Sequence, residues 1–298
     1  MTRSAASTPG RPDAARHRVL EQIAGLGLND HLLAIETEGY TVLPGVLSAD
    51  QIQRARAAIL ARAARLAGRE IDPGSETGDV WTGQRYLPYL LYDDPVFEEI
   101  LMAPGPLALV TYLLGESCLL SSMGCHFKGP GGDPLVLHSD NGNGMPAPFS
   151  AVSMVANVNY ALTPYSRAAG ALAIVPGSHR LARQPTAREM RLDEGQANPD
   201  AVAMDIAPGD AVIWHGNTWH GSFARQIPGI RMNLAVYFNR QHIQTQERHK
   251  GVVPADVLER HRNDERFRIL LGEKQPYGWQ EEGPDYTLMA RNPRGLFD

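Results

Sequence analysis

The chain has 298 residues, 43% of them hydrophobic and 20% charged, with a net charge of −5. That is room for one large domain or two small ones, and the acidic balance gives no electrostatic reason to expect nucleic acid or an anionic membrane as a partner. No run of 18 apolar residues is present to span a bilayer.

The N-terminal stretch MTRSAASTPGRPDAARHR has basic residues but no apolar core behind them. Residues 1–30 therefore read as a disordered or helical leader rather than a secretory signal, and a cytoplasmic location is the default expectation. Residues 31–298 read as a single domain in three parts: helical, then β-rich over about 116–240, then a helical extension over 241–298. Gly39–Val46 suggests a short strand. Ser48 and Gln51 form a capping-box pattern, and Ile52, Ile59, Leu60, Ala63, Leu66 and Ala67 recur at helical spacing until Gly68. Two further helices are expected around Pro95–Met102 and Pro106–Leu114.

From Glu116 the texture changes to short β-like runs broken by Gly, Pro, Asn and Asp. These are Leu119–Lys128, Leu135–Leu137, Ala151–Leu162, Ala171–Val175, Ala201–Ile206, Ala211–Trp214 and Ile230–Asn239. Short strands with no helices between them indicate a mainly β fold with flanking helices, an antiparallel sandwich or barrel. Helical texture returns after Gln241, with Pro254 at a helix start. Cys118 and Cys125 match neither a disulfide framework nor a zinc motif and read as packed thiols.

The chemistry centres on His138-Ser139-Asp140. Residues two apart on an extended strand point to one side, so His138 and Asp140 can reach one ion. His220, just after a β-run and a turn, supplies a third ligand. Two histidines and a carboxylate on one face of an octahedral ion leave three positions open, the arrangement of oxygen-activating iron(II) centres that accept a 2-oxo acid and O₂. His215 is the alternative, but strand parity puts it on the face opposite His220. His17, His31, His126, His242, His249 and His261 have no motif around them and read as surface or satisfied structural residues.

Arg231 opens a run of clean alternation. Met232, Leu234, Val236 and Phe238 face one way, while Arg231, Asn233, Ala235, Tyr237 and Asn239 face the other. The second set suits the lining of a barrel. An arginine there needs an anion, and a planar guanidinium holds a carboxylate with two parallel bonds; the far carboxylate of 2-oxoglutarate is the natural candidate. In Ala151–Leu162, Ser153, Asn157 and Asn159 share a face, which suits a ligand-filled pocket or a solvated sheet face.

Read together, these motifs resemble the phytanoyl-CoA dioxygenase-like family of iron(II)/2-oxoglutarate oxygenases, from about Glu36 to Asn239. The matching stretches, in family order, are Glu38–Leu47 (EGYTVLPGVL), Lys128–Gly132 (KGPGG), His138-Ser139-Asp140, and Gly170-Ala171-Leu172 leading into Pro176-Gly177-Ser178-His179. Pro208-Gly209-Asp210, His220-Gly221-Ser222 and Arg231 complete the series. The resemblance implies a double-stranded β-helix core (a jelly roll, cupin-like) with helices outside, and a structural His179. It also implies a cosubstrate site in which Ser222 helps Arg231. Asn233 stands where a Ser or Thr is common, Asn159 where relatives often carry Trp, and Ser139 where Gln or another polar residue is usual.

The cofactors expected are therefore iron(II), 2-oxoglutarate and O₂. The expected reaction is oxidation, by default hydroxylation, of an unactivated C–H in a mid-sized, largely apolar small molecule, with succinate and CO₂ as coproducts. Asp140 disfavours halogenation, because it fills the place a halide would need. Desaturation, epimerisation and ring formation at the same centre are the alternatives, and a non-catalytic cupin-like binding protein is the rival from another class. A homodimer is compatible with the sequence. Asn141–Phe149 and the C-terminal region read as lid-like loops.

Overall fold

The computed structural model describes residues 14–74, 84–131, 133–142, 144–274, 279–280 and 282–287. Its first part is helical. Helix α1 (Ala14–Gly25) puts Val19 and Ile23 into the main core, so this part of the N-terminal stretch is packed helix. Helix α2 (Asn29–Glu38) ends at Gly39 (φ 82°) and leads straight into strand β1 (Tyr40–Leu43). Helix α3 (Ala49–Ala67) starts on the expected capping box, with the Ser48 side chain accepting from the Gln51 N–H and the Gln51 side chain from the Ser48 N–H. It turns Ala55, Ile59 and Ala63 inward and ends at Gly68. Strand β2 (Gln84–Leu87) and helices α4 (Pro95–Leu101) and α5 (Pro104–Leu114) follow.

Next come β3 (Leu119–Lys128), β4 (Leu135–His138), β5 (Val155–Ala161), β6 (Leu172–Ile174), β7 (Val202–Ala203), β8 (Ala211–His215), β9 (His220–Ser222) and β10 (Asn233–Asn239). They form two antiparallel sheets, a larger one in the order β1-β8-β5-β10-β3-β2 and a smaller one in the order β4-β9-β6-β7. The expected runs all contain strands. Strands β2 and β9 are additions, and the C-terminal helices α6 (Ala255–Arg260) and α7 (Glu265–Leu270) follow Pro254 as expected.

Alternation decides the layering. One face of the larger sheet offers Met123, Cys125, Phe127, Val158, Tyr160, Leu162, Met232, Leu234, Val236 and Phe238 to the main core, together with residues of α1, α3, α4 and α5. The helices therefore cover that face, and both thiols pack within this apolar layer. The other face looks across to the smaller sheet, where Trp214, Val212, Leu172, Ile174 and Tyr165 make a second, smaller cluster. This is the double-stranded β-helix with flanking helices, and the space between its sheets holds the site. Among the described residues no single helix is long and apolar enough to cross a membrane.

Candidate active site

Strands β4 and β9 pair so that His138 and His220 are Cα partners. Each histidine keeps Nδ1 on a backbone carbonyl two residues upstream, His138 on Val136 at 2.9 Å and His220 on Thr218 at 3.1 Å. A carbonyl only accepts, so Nδ1 carries the hydrogen and Nε2 keeps its lone pair. Asp140 lies in the 3-10 turn Asp140–Gly142 just beyond β4. Its reach to the ion position comes from that turn, not from the strand parity expected from the sequence. Its carboxylate oxygens lie 3.6 Å from His138 Nε2 and 3.5 Å from His220 Nε2. The three ligand atoms are all within 4.8 Å of one another, a spacing that suits one metal ion. Burial pushes the His220 imidazole down to about 4, so it is neutral and able to ligate at pH 7.

Asn157 donates from Nδ2 to Asp140 Oδ2 at 2.6 Å, and the Trp214 ring lies against His220 with centroids 4.8 Å apart. Of the two readings open for Asn157, the structure gives the pocket: it lines the cavity and is bonded to the carboxylate of the triad. Asn159 does line the same cavity, where its Oδ1 accepts from Tyr165 Oη at 3.0 Å.

The cavity, about 450 Å³, runs between the sheets from the triad to Arg231. Arg231 and Lys128 are both buried and face each other across neighbouring strands, joined by two backbone hydrogen bonds of 3.1 and 2.9 Å. Arg231 Nη1 donates to the Gly170 carbonyl, and its guanidinium sits 5.1 Å from the Tyr165 ring centre. Lys128 Nζ donates to Ser222 Oγ at 2.9 Å. Neither cation pairs with a carboxylate among the described residues. Burial, with Arg231 alongside, pushes the Lys128 ammonium down to about 7.

Around them three buried polar atoms have no partner among the described residues: Arg231 Nε, His126 Nδ1 and Asn233 Nδ2. Arg231, His126 and Asn233, each with an open nitrogen, and the Lys128 ammonium on Ser222 form a cradle for an anion with several oxygens. That is the chemistry of a dicarboxylate end group, and the residues fit it. Asn233 also accepts the His126 N–H at 2.7 Å, which holds its amide in the cavity.

His126 is a correction. The sequence offered no motif around it, and it reads there as a surface or satisfied structural residue; instead it lines the cavity with a nitrogen that has no partner among the described residues. Lys128, which the sequence gives as the end of the run Leu119–Lys128 and the start of Lys128–Gly132, is the other buried polar side chain not anticipated here. The signal that could have found both is parity, since Ser122, Gly124, His126 and Lys128 occupy alternate positions of β3. His215 is not brought to the triad. It points to the far side of β8, bonds the Ala151 carbonyl at 3.2 Å and faces His179. His179 bonds the Glu36 carbonyl at 3.3 Å, as a structural residue would. Polar and aromatic side chains (Tyr86, Ser122, Asn157, Trp214, Tyr237 and Gln246 among them) line the cavity together with Leu135, Leu172 and Ala235.

A family model described as phytanoyl-CoA dioxygenase (PhyH) matches residues 35–233. The chain belongs to the phytanoyl-CoA dioxygenase family. Members of this family are iron- and 2-oxoglutarate-dependent oxygenases, and this chain is an enzyme of that kind. Among curated proteins it is similar to dioxygenase af480 of Aspergillus fumigatus, 28% identical over 243 residues, covering 78% of this chain and 74% of the relative. Among solved structures it shares its fold with HygX of Streptomyces hygroscopicus, crystallised with nickel and 2-oxoglutarate (TM-score 0.57, 21% identity, 76% of this chain and 92% of that one). It shares the fold also with the α-ketoglutarate-dependent carbocyclase SnoK of nogalamycin biosynthesis (TM-score 0.52, 22% identity, 71% and 83% covered).

Proposed function

We propose that His138, Asp140 and His220 hold iron(II), and that Arg231, with Lys128 and Ser222, holds the far carboxylate of 2-oxoglutarate. The enzyme then oxidises a C–H bond of a small molecule, with hydroxylation as the default outcome. The observation that carries this reading is a buried arginine, Arg231, without a carboxylate partner in the same cavity as a two-histidine, one-carboxylate triad, with the buried Lys128 beside it on Ser222. When bound, iron(II) with 2-oxoglutarate and O₂ supplies an oxidant strong enough to take hydrogen from carbon, with succinate and CO₂ as coproducts.

The chain's own residues supply position. The Val136 and Thr218 carbonyls fix the imidazole tautomers, and Asn157 fixes the rotation of Asp140. Ser222 aims the Lys128 ammonium, and the Lys128–Arg231 backbone pair sets the two cations side by side. Asn233 and Asn159 line the wall between clamp and triad.

Desaturation, epimerisation and ring formation need the same residues. The carbocyclase SnoK and the epimerase SnoN of nogalamycin biosynthesis share this fold, so the fold accommodates outcomes other than hydroxylation. A non-catalytic binding protein would leave the two buried cations without a role.

The test is an anaerobic titration of 2-oxoglutarate into the iron(II) protein, followed by the visible metal-to-ligand charge-transfer band. Wild type should develop the band, and His138→Ala, Asp140→Ala and His220→Ala should not. Arg231→Ala leaves Lys128 without its neighbour and removes a bidentate partner, a loss of roughly 3–5 kcal/mol, so its midpoint should rise by on the order of a hundredfold or more. An unchanged midpoint would move the clamp elsewhere. No band in wild type would remove the oxygenase assignment of this site.

A further inference from the structure

The end of the cavity nearest the triad has its own chemistry, which the cosubstrate does not use. Tyr237 of β10 lies six positions beyond Arg231, about 20 Å along an extended antiparallel chain. Tyr237 is the Cα partner of Ser122 on one side and of Asn157 on the other, and Asn157 is bonded to Asp140. Ser122, Tyr237 and Asn157 therefore form the rung level with the triad, while Lys128 and Arg231 close the opposite end.

Two further groups reach this rung. Tyr86 on β2 lies over Gly124, where a Cβ would collide with the phenol ring, so the missing side chain lets the ring enter the barrel. Gln246 comes from the segment after β10, which is pinned to β3. The Gln246 N–H donates to Ser121 Oγ at 3.0 Å, the Glu247 N–H to the Ser121 carbonyl at 2.7 Å, and Ser122 Oγ to Gln246 Oε1 at 2.7 Å. The Gln246 amide N–H₂ and the Tyr237 hydroxyl have no partner among the described residues.

Charge then narrows the choice. Apart from the histidines, the charged side chains that line the cavity are Asp140, turned to the triad, and Arg231 at the far end. With Asp140 committed to the metal ion and Arg231 to the cosubstrate carboxylate, a phosphate, carboxylate or ammonium on this rung would lose its water with no side-chain counter-ion left to it. A wholly apolar substrate would bury the Tyr237 hydroxyl and the Gln246 amide unpaired. What satisfies both conditions is a neutral molecule rich in oxygen, with a face that lies on Tyr86, Tyr237 or Trp214.

We infer that the substrate is a neutral, oxygen-rich ring compound, of the glycoside or hydroxylated cyclic type, and that Tyr86, Ser122, Tyr237 and Gln246 select it. This rests on the iron- and cosubstrate-binding reading above, and the experiment separates the two. The iron(II)-loaded wild-type protein is first titrated anaerobically with 2-oxoglutarate; a missing charge-transfer band counts against the underlying reading and removes this proposal with it.

With the band present, succinate formation in air is measured above the substrate-free rate with three sets of probes. These are neutral glycosides and cyclitols, amino sugars, and medium-chain fatty acids with their coenzyme A thioesters. The neutral set should stimulate most. Tyr237→Phe and Gln246→Leu should each lower kcat/KM for the best neutral probe by about tenfold, the cost of one lost uncharged hydrogen bond. Their midpoints for 2-oxoglutarate should move less than that. Greater stimulation by a charged or apolar probe, no stimulation by any neutral probe, or wild-type kcat/KM in both variants would overturn the assignment.

Discussion

A histidine ligates a metal through a nitrogen without a proton, and in this chain two backbone carbonyls make that choice for His138 and His220. The cosubstrate end is set by charge instead. Burial and the neighbouring Arg231 hold Lys128 near 7, below the ordinary range of a lysine. In the free enzyme it therefore loses its proton as pH rises past that point, whereas a bound carboxylate favours the protonated form. Apparent affinity for 2-oxoglutarate should fall as pH is raised from about 6.5 to about 9, steeply enough to follow the loss of one proton. Lys128→Met should bind more weakly at low pH and show a nearly flat profile over the same range. A wild-type profile that is flat, measured by the charge-transfer midpoint, would remove Lys128 from the clamp. The triad and Arg231 stand out in the sequence because a motif or a cleanly alternating run marks each of them. Lys128 and His126 do not, because no metal- or anion-binding pattern surrounds either; their place at the cavity end comes from which face of β3 they occupy.

At the scale of elements, the pairing of β4 with β9 brings the two proposed ligands, His138 and His220, together from distant parts of the chain, and it depends on a close approach at Gly221. A Cβ there would collide with the Leu135 carbonyl oxygen and stand 2.9 Å from that of Val136. Both are backbone atoms, so the strand itself must move. Gly221→Ala should thus push β4 from β9 and separate His138 from His220, lowering iron(II) affinity by tenfold or more while Arg231 and Lys128 stay in place. Metal titration of the variant checks this, and wild-type affinity would mean that the two strands can shift without disturbing the ligands. The long strands were readable from alternation, since each has one apolar and one polar face. Strand β9 was not, because three buried residues, His-Gly-Ser, show no period. Strand β2 also escaped notice, being four residues long and isolated from the other β-runs.

For the molecule as a whole, the larger sheet is the rigid wall and the smaller one the weaker partner. The larger sheet is backed by helices and the main core; the smaller one begins at β4, whose place in the order β4-β9-β6-β7 leaves it an edge strand, with Val136 41% exposed. The fold class was legible in the sequence because alternation fixes a wet and a dry face for each long strand. The partition into two sheets was not, because it depends on pairings between residues far apart in the chain. An ion bound by His138 and Asp140 at the end of β4 and by His220 on β9 ties that edge to its neighbour, as a disulfide ties two loops. Its free energy of binding is then local cohesion as much as chemistry. Hydrogen–deuterium exchange with and without chelator should register the difference: removing the metal should speed amide exchange in β4 and β9 and leave β5 and β10 near their original rates. Equal protection in both states would mean that the edge holds itself. If the edge does loosen, metal supply becomes a condition for the integrity of this half of the barrel, so that an iron-starved cell would hold a partly opened protein as well as an inactive one.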